Sequence, residues 1–317
     1  MKIVLLESLG ISGELLREYA QKLEKQGHEF RAYERDTDPR VQIDRAKDAD
    51  VIMLANMPLS GKVIRSCPSL KFIDVAFTGV DHIDLEAAKE KKVAVSNASG
   101  YSTESVAELV LCNAITLLRK VRETEKRCRE EGTREGLTGG ELKGRTVGII
   151  GYGAIGSRTA ELFHALGCRV TAYSRHEKEN VPRYITYLPL EELIRQSDLI
   201  SLHCPLTPQT RGLMNEERIS WMKKDAILIN MARGPVVDSR ALADALNEGR
   251  IAGAAVDVFE TEPPVSPVHP LLTARNCLVT PHIAFASEES MRLRADIVFD
   301  SLQKWLDGRQ INTVIPG

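Results

Sequence analysis

The 317-residue sequence lacks several features that would place it in a specialised class of protein. Its six cysteines are scattered and form no Cys-x-x-Cys pair, which argues against a disulfide framework and a zinc site and is compatible with a reducing compartment. No apolar run approaches the length of a membrane span, and the apolar run of MKIVLLESLG is too short for a signal peptide. The net charge of -2 gives no electrostatic reason to expect nucleic acid or an anionic membrane as a partner. We therefore expect a cytoplasmic protein whose partner is a small molecule.

The sequence does contain a glycine-rich stretch, TVGIIGYGAIG, at residues 146–156. Its first five residues predict a buried parallel strand, and apolar residues at helical spacing follow it as far as Gly167. Gly151 would permit a tight turn, Gly153 would let a pyrophosphate approach the backbone, and Gly156 would let the helix pack close to the strand. The helix N-terminus would offer free N–H groups to the phosphates. A plain glycine-rich turn is the alternative, but the strand–turn–helix context favours a dinucleotide site.

The next predicted strand bears on the type of dinucleotide. NAD-binding units usually place an acidic residue at its tip, where the acid binds the ribose 2′-hydroxyl. Here the strand ends in Ser174 and Arg175, and the nearest acid, Glu177, lies beyond the tip. Serine and arginine suit a 2′-phosphate, so the sequence favours NADP(H) over NAD(H). The alternative is that Arg175 and His176 are solvated loop residues.

Alternating strands and helices predict an α/β protein with two domains, each a doubly wound parallel sheet. Residues 99–284 are expected to form a Rossmann dinucleotide-binding domain, inserted in a flavodoxin-like substrate domain made of residues 1–98 and 285–317. The charged run 119–136 predicts a solvated helix end and loop, with a partner-binding arm as the alternative. A terminal amphipathic helix is expected over 293–306. The expected strands are 3–6, 28–33, 50–54, 70–76, 93–96, 146–150, 169–174, 198–202, 226–230, 253–258 and 277–279.

Three chemically complementary residues each follow a predicted strand of the second domain: Arg233, Glu262 and His282. The carboxyl ends of parallel strands meet at one edge of a sheet, which would bring these residues together. Arginine can hold a carboxylate, histidine can donate or accept a proton, and a neighbouring glutamate would favour the charged imidazolium. The set matches hydride transfer to a 2-keto acid. Taken singly, a residue of each of these types is more often an ordinary surface or loop residue. His269 lies close to His282 in the sequence, so position alone does not identify the catalytic histidine.

Other chemistries fit less well. The histidines and cysteines lack close metal-ligand spacing, so we expect no metal, and no G-x-S-x-G elbow of a hydrolase is present. In the first domain, Thr78, Gly79 and Val80 follow a predicted strand. Their backbone N–H groups could bind an anion, although a plain strand-to-helix turn explains the same residues equally well.

Seven stretches, in this order along nearly the whole chain, resemble the D-isomer-specific 2-hydroxyacid dehydrogenase family. They are TGVDHIDLEAA (78–88), YSTESVAELVL (101–111), GIIGYGAIG (148–156), LHCPLTPQTRGLMN (202–215), LINMARGPVVD (228–238), AVDVFETEPP (255–264) and VTPHIAFAS (279–287). The resemblance implies that Arg233, Glu262 and His282 are the catalytic residues. Where many members carry aspartate this chain has Ser174, which puts a preference for NAD in doubt.

The same resemblance implies further roles. Gly79 and Val80, with Thr78, would meet the substrate carboxylate, and Asp257 would lie near the nicotinamide amide. The protein would be a homodimer that associates through the region before the glycine-rich stretch. This favours the interpretation of the charged run as a partner-binding arm. Residues expected to contact the coenzyme are Thr103, Gly151, Gly153, Ala154, Ile155, Gly156, Ser174, Arg175, His203, Cys204, Pro205, Thr210, Met231, Ala232 and Asp257.

The substrate stays open at this point. Asn56, Met57, Pro58 and Tyr101 would form the side-chain pocket, with Phe285 near the domain boundary. Met57 and Tyr101 predict a partly apolar pocket, in which Asn56 could meet a hydroxyl. Glyoxylate, hydroxypyruvate and D-lactate-type substrates all remain compatible.

Two other kinds of protein, with different functions, resemble the same family. One is a corepressor-like protein that senses the dinucleotide rather than consuming it. The other is formate dehydrogenase, whose members pair the catalytic histidine with glutamine; Glu262 argues against it.

Overall fold

The computed structural model describes residues 1–261 and 263–317, and the chain divides into two compact units. The first unit consists of Met1–Ser102 and Ala286–Gly317. The second is the continuous segment Thr103–Phe285. Glu262, the expected catalytic glutamate, lies outside the described residues.

The first unit contains a six-stranded sheet in the order β13-β5-β4-β3-β1-β2. Five strands are parallel in the order 2-1-3-4-5 of flavodoxin-like folds, and β13 adds an antiparallel edge. The strands are β1 Lys2–Leu5, β2 Glu29–Ala32, β3 Val51–Leu54, β4 Phe72–Val75, β5 Ala94–Asn97 and β13 Thr313–Ile315. The helices are α1 Gly13–Lys25, α2 Pro39–Ala46, α3 Gly61–Arg65, α4 Leu85–Glu90 and α11 Glu288–Leu306.

The second unit contains a seven-stranded parallel sheet in the order β12-β11-β10-β9-β6-β7-β8, the doubly wound order of a Rossmann domain. The predicted fold class is therefore confirmed. Its strands are β6 Thr146–Ile150, β7 Arg169–Tyr173, β8 Ile185–Tyr187, β9 Leu199–Leu202, β10 Ile227–Asn230, β11 Gly253–Val256 and β12 Cys277–Val279. Its helices are α5 Thr103–Leu118, α6 Val121–Arg129, α7 Ala154–Ala165, α8 Leu190–Gln196, α9 Glu216–Ser220 and α10 Ser239–Asn247, with 3-10 turns at Gly234–Val236 and Pro270–Leu272.

The last helix of the chain, α11, covers one face of the first sheet. Ala295, Val298 and Leu302 are fully buried against the strands, and the Trp305 ring stacks on Phe72 with ring centroids 4.7 Å apart. The helix begins earlier than predicted because its first turn is polar and shows no apolar periodicity. Its start is fixed instead by Ser287, whose hydroxyl accepts a hydrogen bond from the N–H of Ser290 in a capping box. Among the described residues, no helix is both long and apolar enough to span a bilayer.

A buried carboxyl group lies under this helix. Asp74 of β4 is completely buried, and the hydroxyl of Ser301 in α11 donates to its Oδ1 at 3.3 Å. Within the described part of the chain, Oδ2 has no hydrogen-bond partner. Burial raises the pKa of Asp74 well above its ordinary value, because the charged form loses its hydration.

We expect Asp74→Asn to stabilise the protein at neutral pH and to do so less at acidic pH. The folded-state pKa is raised, so the wild-type carboxyl contributes stability below its unfolded pKa and loses that contribution as the pH rises towards the folded pKa. Between the unfolded-state and folded-state pKa of Asp74, the gain in free energy of unfolding from Asp74→Asn should therefore grow by about 1.4 kcal/mol per pH unit. Melting temperatures of both proteins between pH 4 and pH 8 measure this. A constant difference across the range would contradict it.

Candidate active site

Six of the residues predicted from the sequence of the second unit lie in segments that follow its strands at one edge of the sheet. The six strands β12, β11, β10, β9, β6 and β7 are successive neighbours, about 4.8 Å apart, and all are parallel. Their carboxyl ends lead, in that spatial order, into the segments that carry His282, Asp257, Arg233, His203, Gly151 and Ser174.

The glycine-rich turn has the backbone that a dinucleotide requires. Gly151 has a φ of +99°, and a Cβ there would lie 2.5 Å from the backbone nitrogen of Cys204. A Cβ on Gly156 would lie 2.1 Å from the carbonyl oxygen of Gly151, so only glycine allows helix and turn to pack this closely. Gly153 caps α7 without a side-chain hydrogen bond. Apart from its chain neighbours, no atom of the described residues lies within 4 Å of where its Cβ would stand. The N–H groups at the start of α7 therefore have space in front of them in which they can donate hydrogen bonds to a diphosphate.

The tip of β7 combines a structural contact with positive charge. Ser174 accepts a hydrogen bond from the N–H of Tyr152 at 2.8 Å, so its hydroxyl holds the glycine-rich turn. Arg175 is exposed, and its Nε lies 3.2 Å from Nε2 of His176. The Lys178 ammonium lies over the Tyr152 ring, 5.5 Å from its centroid. Arg175, His176 and Lys178 are thus three basic residues that closely follow the strand tip at which a 2′-phosphate is predicted.

The segment after β9 is held by its own hydrogen bonds. The hydroxyl of Thr210 donates to the carbonyl of Pro205 at 2.6 Å and accepts from the N–H of Thr207 at 2.8 Å. Burial lowers the pKa of His203 to about 3 and raises the pKa of the Cys204 thiol to about 11, so both are neutral at pH 7. His203 and Cys204 therefore pack against Gly151 as uncharged residues.

Arg233 is positioned by a residue that the sequence analysis missed. Asn230, at the end of β10, is completely buried. Its amide nitrogen donates to the carbonyl of Arg233 at 3.0 Å, and its Oδ1 accepts from the N–H of Ala232 at 3.1 Å. The Arg233 guanidinium in turn donates to the carbonyl of Ala232 at 2.8 Å. Asn230 thus folds the loop that presents the guanidinium.

Gly234 brings the Arg233 loop against the segment that follows β11. A Cβ on Gly234 would stand 2.0 Å from both the carbonyl carbon and the carbonyl oxygen of Phe259. Backbone atoms cannot yield as a flexible side chain can. The close approach of these two segments therefore depends on glycine at this position.

We expect Gly234→Ala to lower kcat/KM by about 10²-fold, because displacing Arg233 by even an ångström spoils its alignment with a substrate. Coenzyme affinity should change little, since the glycine-rich turn is elsewhere. Steady-state kinetics and a coenzyme titration measure the two effects. Gly13→Ala is the control, because the added Cβ would lie more than 4 Å from every described atom beyond its chain neighbours and its own helix backbone. Wild-type kcat/KM in Gly234→Ala would refute the inference.

His282 lies in a loop that is fixed by Asp257. The backbone of His282 is left-handed, with a φ of +56°, which is uncommon for a non-glycine residue. The Asp257 carboxylate accepts hydrogen bonds from the Thr280 hydroxyl, the Ile283 N–H at 2.9 Å and the Ala284 N–H at 2.8 Å. The N–H of His282 donates to the Asp257 carbonyl at 2.8 Å. Buttressing of this kind is what keeps a strained backbone in place.

Asp257 itself is completely buried. Burial raises the pKa of its carboxyl, and the hydrogen bonds from its loop oppose that rise. Both carboxylate oxygens are engaged within the protein, so its clearest role is to hold the His282 loop. The predicted contact with a nicotinamide amide stays a prediction.

The two candidate histidines have different surroundings. The His269 ring binds Glu260 through Nε2 at 2.9 Å, and its Nδ1 accepts from the N–H of Leu271 at 3.4 Å. Both ring nitrogens are thus committed to structure. His282 follows β12 directly, and its ring packs edge-on against Phe285 with centroids 5.4 Å apart.

In the first unit, the segment 78–80 follows β4 at the carboxyl edge of that sheet. The Asn97 side chain donates to the carbonyl of Thr78 at 2.7 Å, and the N–H of Ile83 donates to the carbonyl of Val80 at 3.0 Å. Within the described ranges, the N–H groups of Gly79 and Val80 make no hydrogen bond. They remain available to an anion.

The predicted apolar pocket is wrong in one respect. Met57 is completely buried in the first unit, so its side chain cannot line a pocket that a ligand enters. The residue alternation of the loop explains this, because Ala55 and Met57 point inward while Asn56 is partly exposed. Tyr101 is 3% exposed, and the guanidinium of Arg294 lies 5.7 Å from its ring centroid. The surroundings are more polar than predicted.

Comparison with known proteins places these features in a family. Residues 111–284 match the model of the D-isomer specific 2-hydroxyacid dehydrogenase NAD binding domain. The chain is 38% identical over 291 residues to a hydroxypyruvate reductase from Blautia hydrogenotrophica, covering 88% of each chain.

Two solved structures are similar over the full length. A D-lactate dehydrogenase from Aquifex aeolicus in complex with NAD and lactic acid is 31% identical, with a TM-score of 0.90 and 100% of both chains covered. An acyclic imino acid reductase in complex with NADPH and D-Arg is 25% identical, with a TM-score of 0.90 and coverage of 99% of this chain and 100% of that one.

Proposed function

Because the chain belongs to the D-isomer specific 2-hydroxyacid dehydrogenase family and is therefore an oxidoreductase, we propose that it transfers hydride between NAD(P)H and a small 2-keto acid, forming the D-2-hydroxy acid. One observation carries the proposal. The segments bearing Arg233 and His282 leave strands on either side of β11, at the same sheet edge as the glycine-rich turn. That edge combines a carboxylate binder, a proton donor and a dinucleotide cradle.

Each residue has a distinct role in the proposed reaction. Arg233 binds the substrate carboxylate through parallel hydrogen bonds and polarises the carbonyl group. His282 donates a proton to the carbonyl oxygen during reduction and takes it back during oxidation. Glu262 keeps the imidazole charged. Bound NAD(P)H supplies the hydride. Thr78, Gly79, Val80, Asn56 and Tyr101 of the first unit contribute substrate contacts.

For the coenzyme we favour NADPH over NADH. An exposed Arg175 can bind a 2′-phosphate in a fork, and Lys178 adds positive charge three residues further along the chain. An acidic residue, which would repel that phosphate and favour NADH, is absent from positions 174 and 175. Ser174 supports the same preference indirectly, because it holds the adjoining turn without bringing a negative charge.

The first test is the rate of NADPH and NADH oxidation with glyoxylate, hydroxypyruvate and pyruvate, followed by nicotinamide absorbance. We expect turnover with NADPH preferred. Turnover with NADH preferred would keep the enzyme and reject the 2′-phosphate assignment. Binding of coenzyme without turnover of any keto acid would reject the enzyme and favour a dinucleotide sensor, and oxidation of formate by NAD(P)⁺ would favour formate dehydrogenase.

We further propose that the protein is a cytoplasmic homodimer that associates through α5 and α6. None of the nine residues of α6 is buried, and Ile115 and Val121 are 40% and 45% exposed. Apolar side chains on such a surface favour a contact with another copy.

Ile115→Asp combined with Val121→Asp is expected to give a monomer, because two carboxylates would be desolvated at the interface. Light scattering after size exclusion should show 35.1 kDa instead of twice that mass. Leu166→Asp is the matched control, since Leu166 is 44% exposed at the end of α7. A wild-type protein that is already monomeric would refute the proposed interface.

A further inference from the structure

The second unit has a cavity at the edge of its sheet that lies opposite to the glycine-rich turn. The cavity has a volume of about 750 Å³, and residues at the amino ends of β6, β7 and β8 line it. β6 has five residues and spans about 16 Å, so the cavity and Gly151 lie at opposite ends of this strand. Within the described ranges, no lining residue belongs to α5 or α6, so the proposed homodimer contact does not involve the cavity.

Basic side chains dominate the charge of this cavity. Arg169, Arg195 and Lys223 line it, whereas no aspartate or glutamate of the described residues does so. Two carboxylates outside the lining bind these cations. Asp198 accepts a hydrogen bond from the Lys223 ammonium at 2.7 Å, and Glu191 accepts one from the Arg195 guanidinium at 2.9 Å. Three cations are therefore matched by two carboxylates, which leaves one positive charge over.

Arg169, the first residue of β7, is the cation of this set that forms no ion pair in the described part of the chain. Its guanidinium donates to the hydroxyl of Thr146 at 3.2 Å, so most of its five N–H donors remain for a ligand. Thr146 also links the cations, because its N–H donates at 2.8 Å to the same Asp198 carboxylate that binds Lys223. Arg169 and Lys223 are thus connected by one short chain of hydrogen bonds beside the cavity, and the Thr146 hydroxyl can itself donate to a ligand.

Another part of the lining is flat and less polar. The rings of His164 and Tyr184 stack with centroids 3.8 Å apart and an interplanar angle of 5°. Val170 and Leu188 line the cavity as well. A volume of about 750 Å³ lies within the range of small-molecule sites, about 300–1,000 Å³, and far exceeds what one inorganic anion fills. The cavity therefore suits a molecule that has both an anionic group and a carbon skeleton.

We propose that this cavity binds a small organic phosphate ester. The Arg169 guanidinium and the Lys223 ammonium bind phosphate oxygens, and the Thr146 hydroxyl donates to another. A phosphate ester carries a charge of about -1.5 to -2 at pH 7, so it gains more from these cations than a singly charged carboxylate does. The carbon skeleton packs against the stacked rings of His164 and Tyr184. Because the proposed coenzyme site lies at the other end of β6, the ester and the coenzyme bind at the same time.

The test is calorimetric titration of the protein with phenyl phosphate, glucose 6-phosphate and inorganic phosphate, with and without saturating NADPH. Saturation with NADPH keeps these anions away from the glycine-rich turn. We expect at least one of the two esters to bind saturably, with the same affinity in both conditions. It should bind about tenfold more tightly than inorganic phosphate, because its carbon skeleton is also buried. Phenol and glucose, which lack the phosphate, should not bind.

Variants of Arg169 locate the bound ester. Arg169→Met should weaken its binding about tenfold or more, because charge-assisted hydrogen bonds are lost, and Arg169→Lys should keep part of the affinity through its charge. The melting temperature without ligand should stay close to that of the wild type, since Arg169 is exposed at the start of its strand. Arg240→Met is the matched control, because Arg240 is an exposed arginine of α10 that forms an ion pair with Asp244.

Each contrary outcome has a distinct meaning. If neither ester binds saturably at millimolar concentrations, the proposal fails. Equal affinities of the wild type and Arg169→Met would show that the ester binds elsewhere. Loss of binding in Arg175→Met instead, or an affinity that falls when NADPH is added, would assign the ester to the coenzyme site and overturn the proposal. None of these measurements involves turnover of a keto acid, so the proposed function can stand or fail independently.

Discussion

Replacing His282 with asparagine is expected to lower kcat for keto-acid reduction by about 10²- to 10⁴-fold, the usual contribution of a positioned general acid. Asparagine is chosen because it tolerates a left-handed backbone better than alanine, and the φ of His282 is +56°. The loop should therefore keep its hydrogen bonds to Asp257 while losing only the imidazole. Stopped-flow and steady-state rates, together with the coenzyme dissociation constant, measure the change.

His269→Asn provides the matched control for this prediction. The His269 ring binds the carboxylate of Glu260, and both of its nitrogens serve the local structure. We expect the control to retain wild-type kcat to within a few-fold, with a lower melting temperature from the lost contacts. Equal losses of kcat in the two variants, or none in His282→Asn, would remove His282 from the reaction.

Replacing Gly153 with alanine is expected to weaken coenzyme binding tenfold or more and to leave the melting temperature unchanged without coenzyme. The backbone of Gly153 is extended, with a φ of -85°, and its added Cβ would meet no atom of the described protein within 4 Å. The protein therefore tolerates the methyl group. A dinucleotide does not, since its phosphates must approach this N–H directly.

Gly156→Ala is the comparison that distinguishes a lost coenzyme contact from lost packing between the turn and its helix. Its Cβ would collide with the carbonyl oxygen of Gly151, so we expect both stability and coenzyme binding to fall. Fluorescence titration with NADH and NADPH, combined with thermal unfolding of the coenzyme-free protein, distinguishes the cases. Unchanged coenzyme affinity in Gly153→Ala would show that the diphosphate does not lie at this turn.

Most of the fold could be predicted because buried parallel strands are continuous apolar runs. β3, β9 and β10 have every residue buried, and their predicted positions agree with the structure to within one residue. β8 and β13 were missed. Each has only three residues and lies at the edge of its sheet, where one residue in three is buried and no apolar run develops.

From the sequence, the candidate site could be predicted only where a functional residue follows the end of a predicted strand. Arg233 and His282 could be named because each directly follows a strand. The contact of Gly234 with Phe259 could not, since nothing in the sequence indicates that two backbone segments 25 residues apart touch. The buried Met57 was assigned wrongly for a related reason: its loop is pulled inward by Glu7, which lies 50 residues away.

The division of the chain has a consequence for its folding during synthesis. The first unit is completed only by residues 286–317, which supply α11 to its core and β13 to its edge. Until those residues leave the ribosome, residues 1–102 expose the sheet face that α11 later covers. The second unit is continuous and can fold as soon as residue 285 has emerged. We therefore expect the middle of the chain to become protease-resistant before its beginning does, and the N-terminal segment to be the part that needs a chaperone.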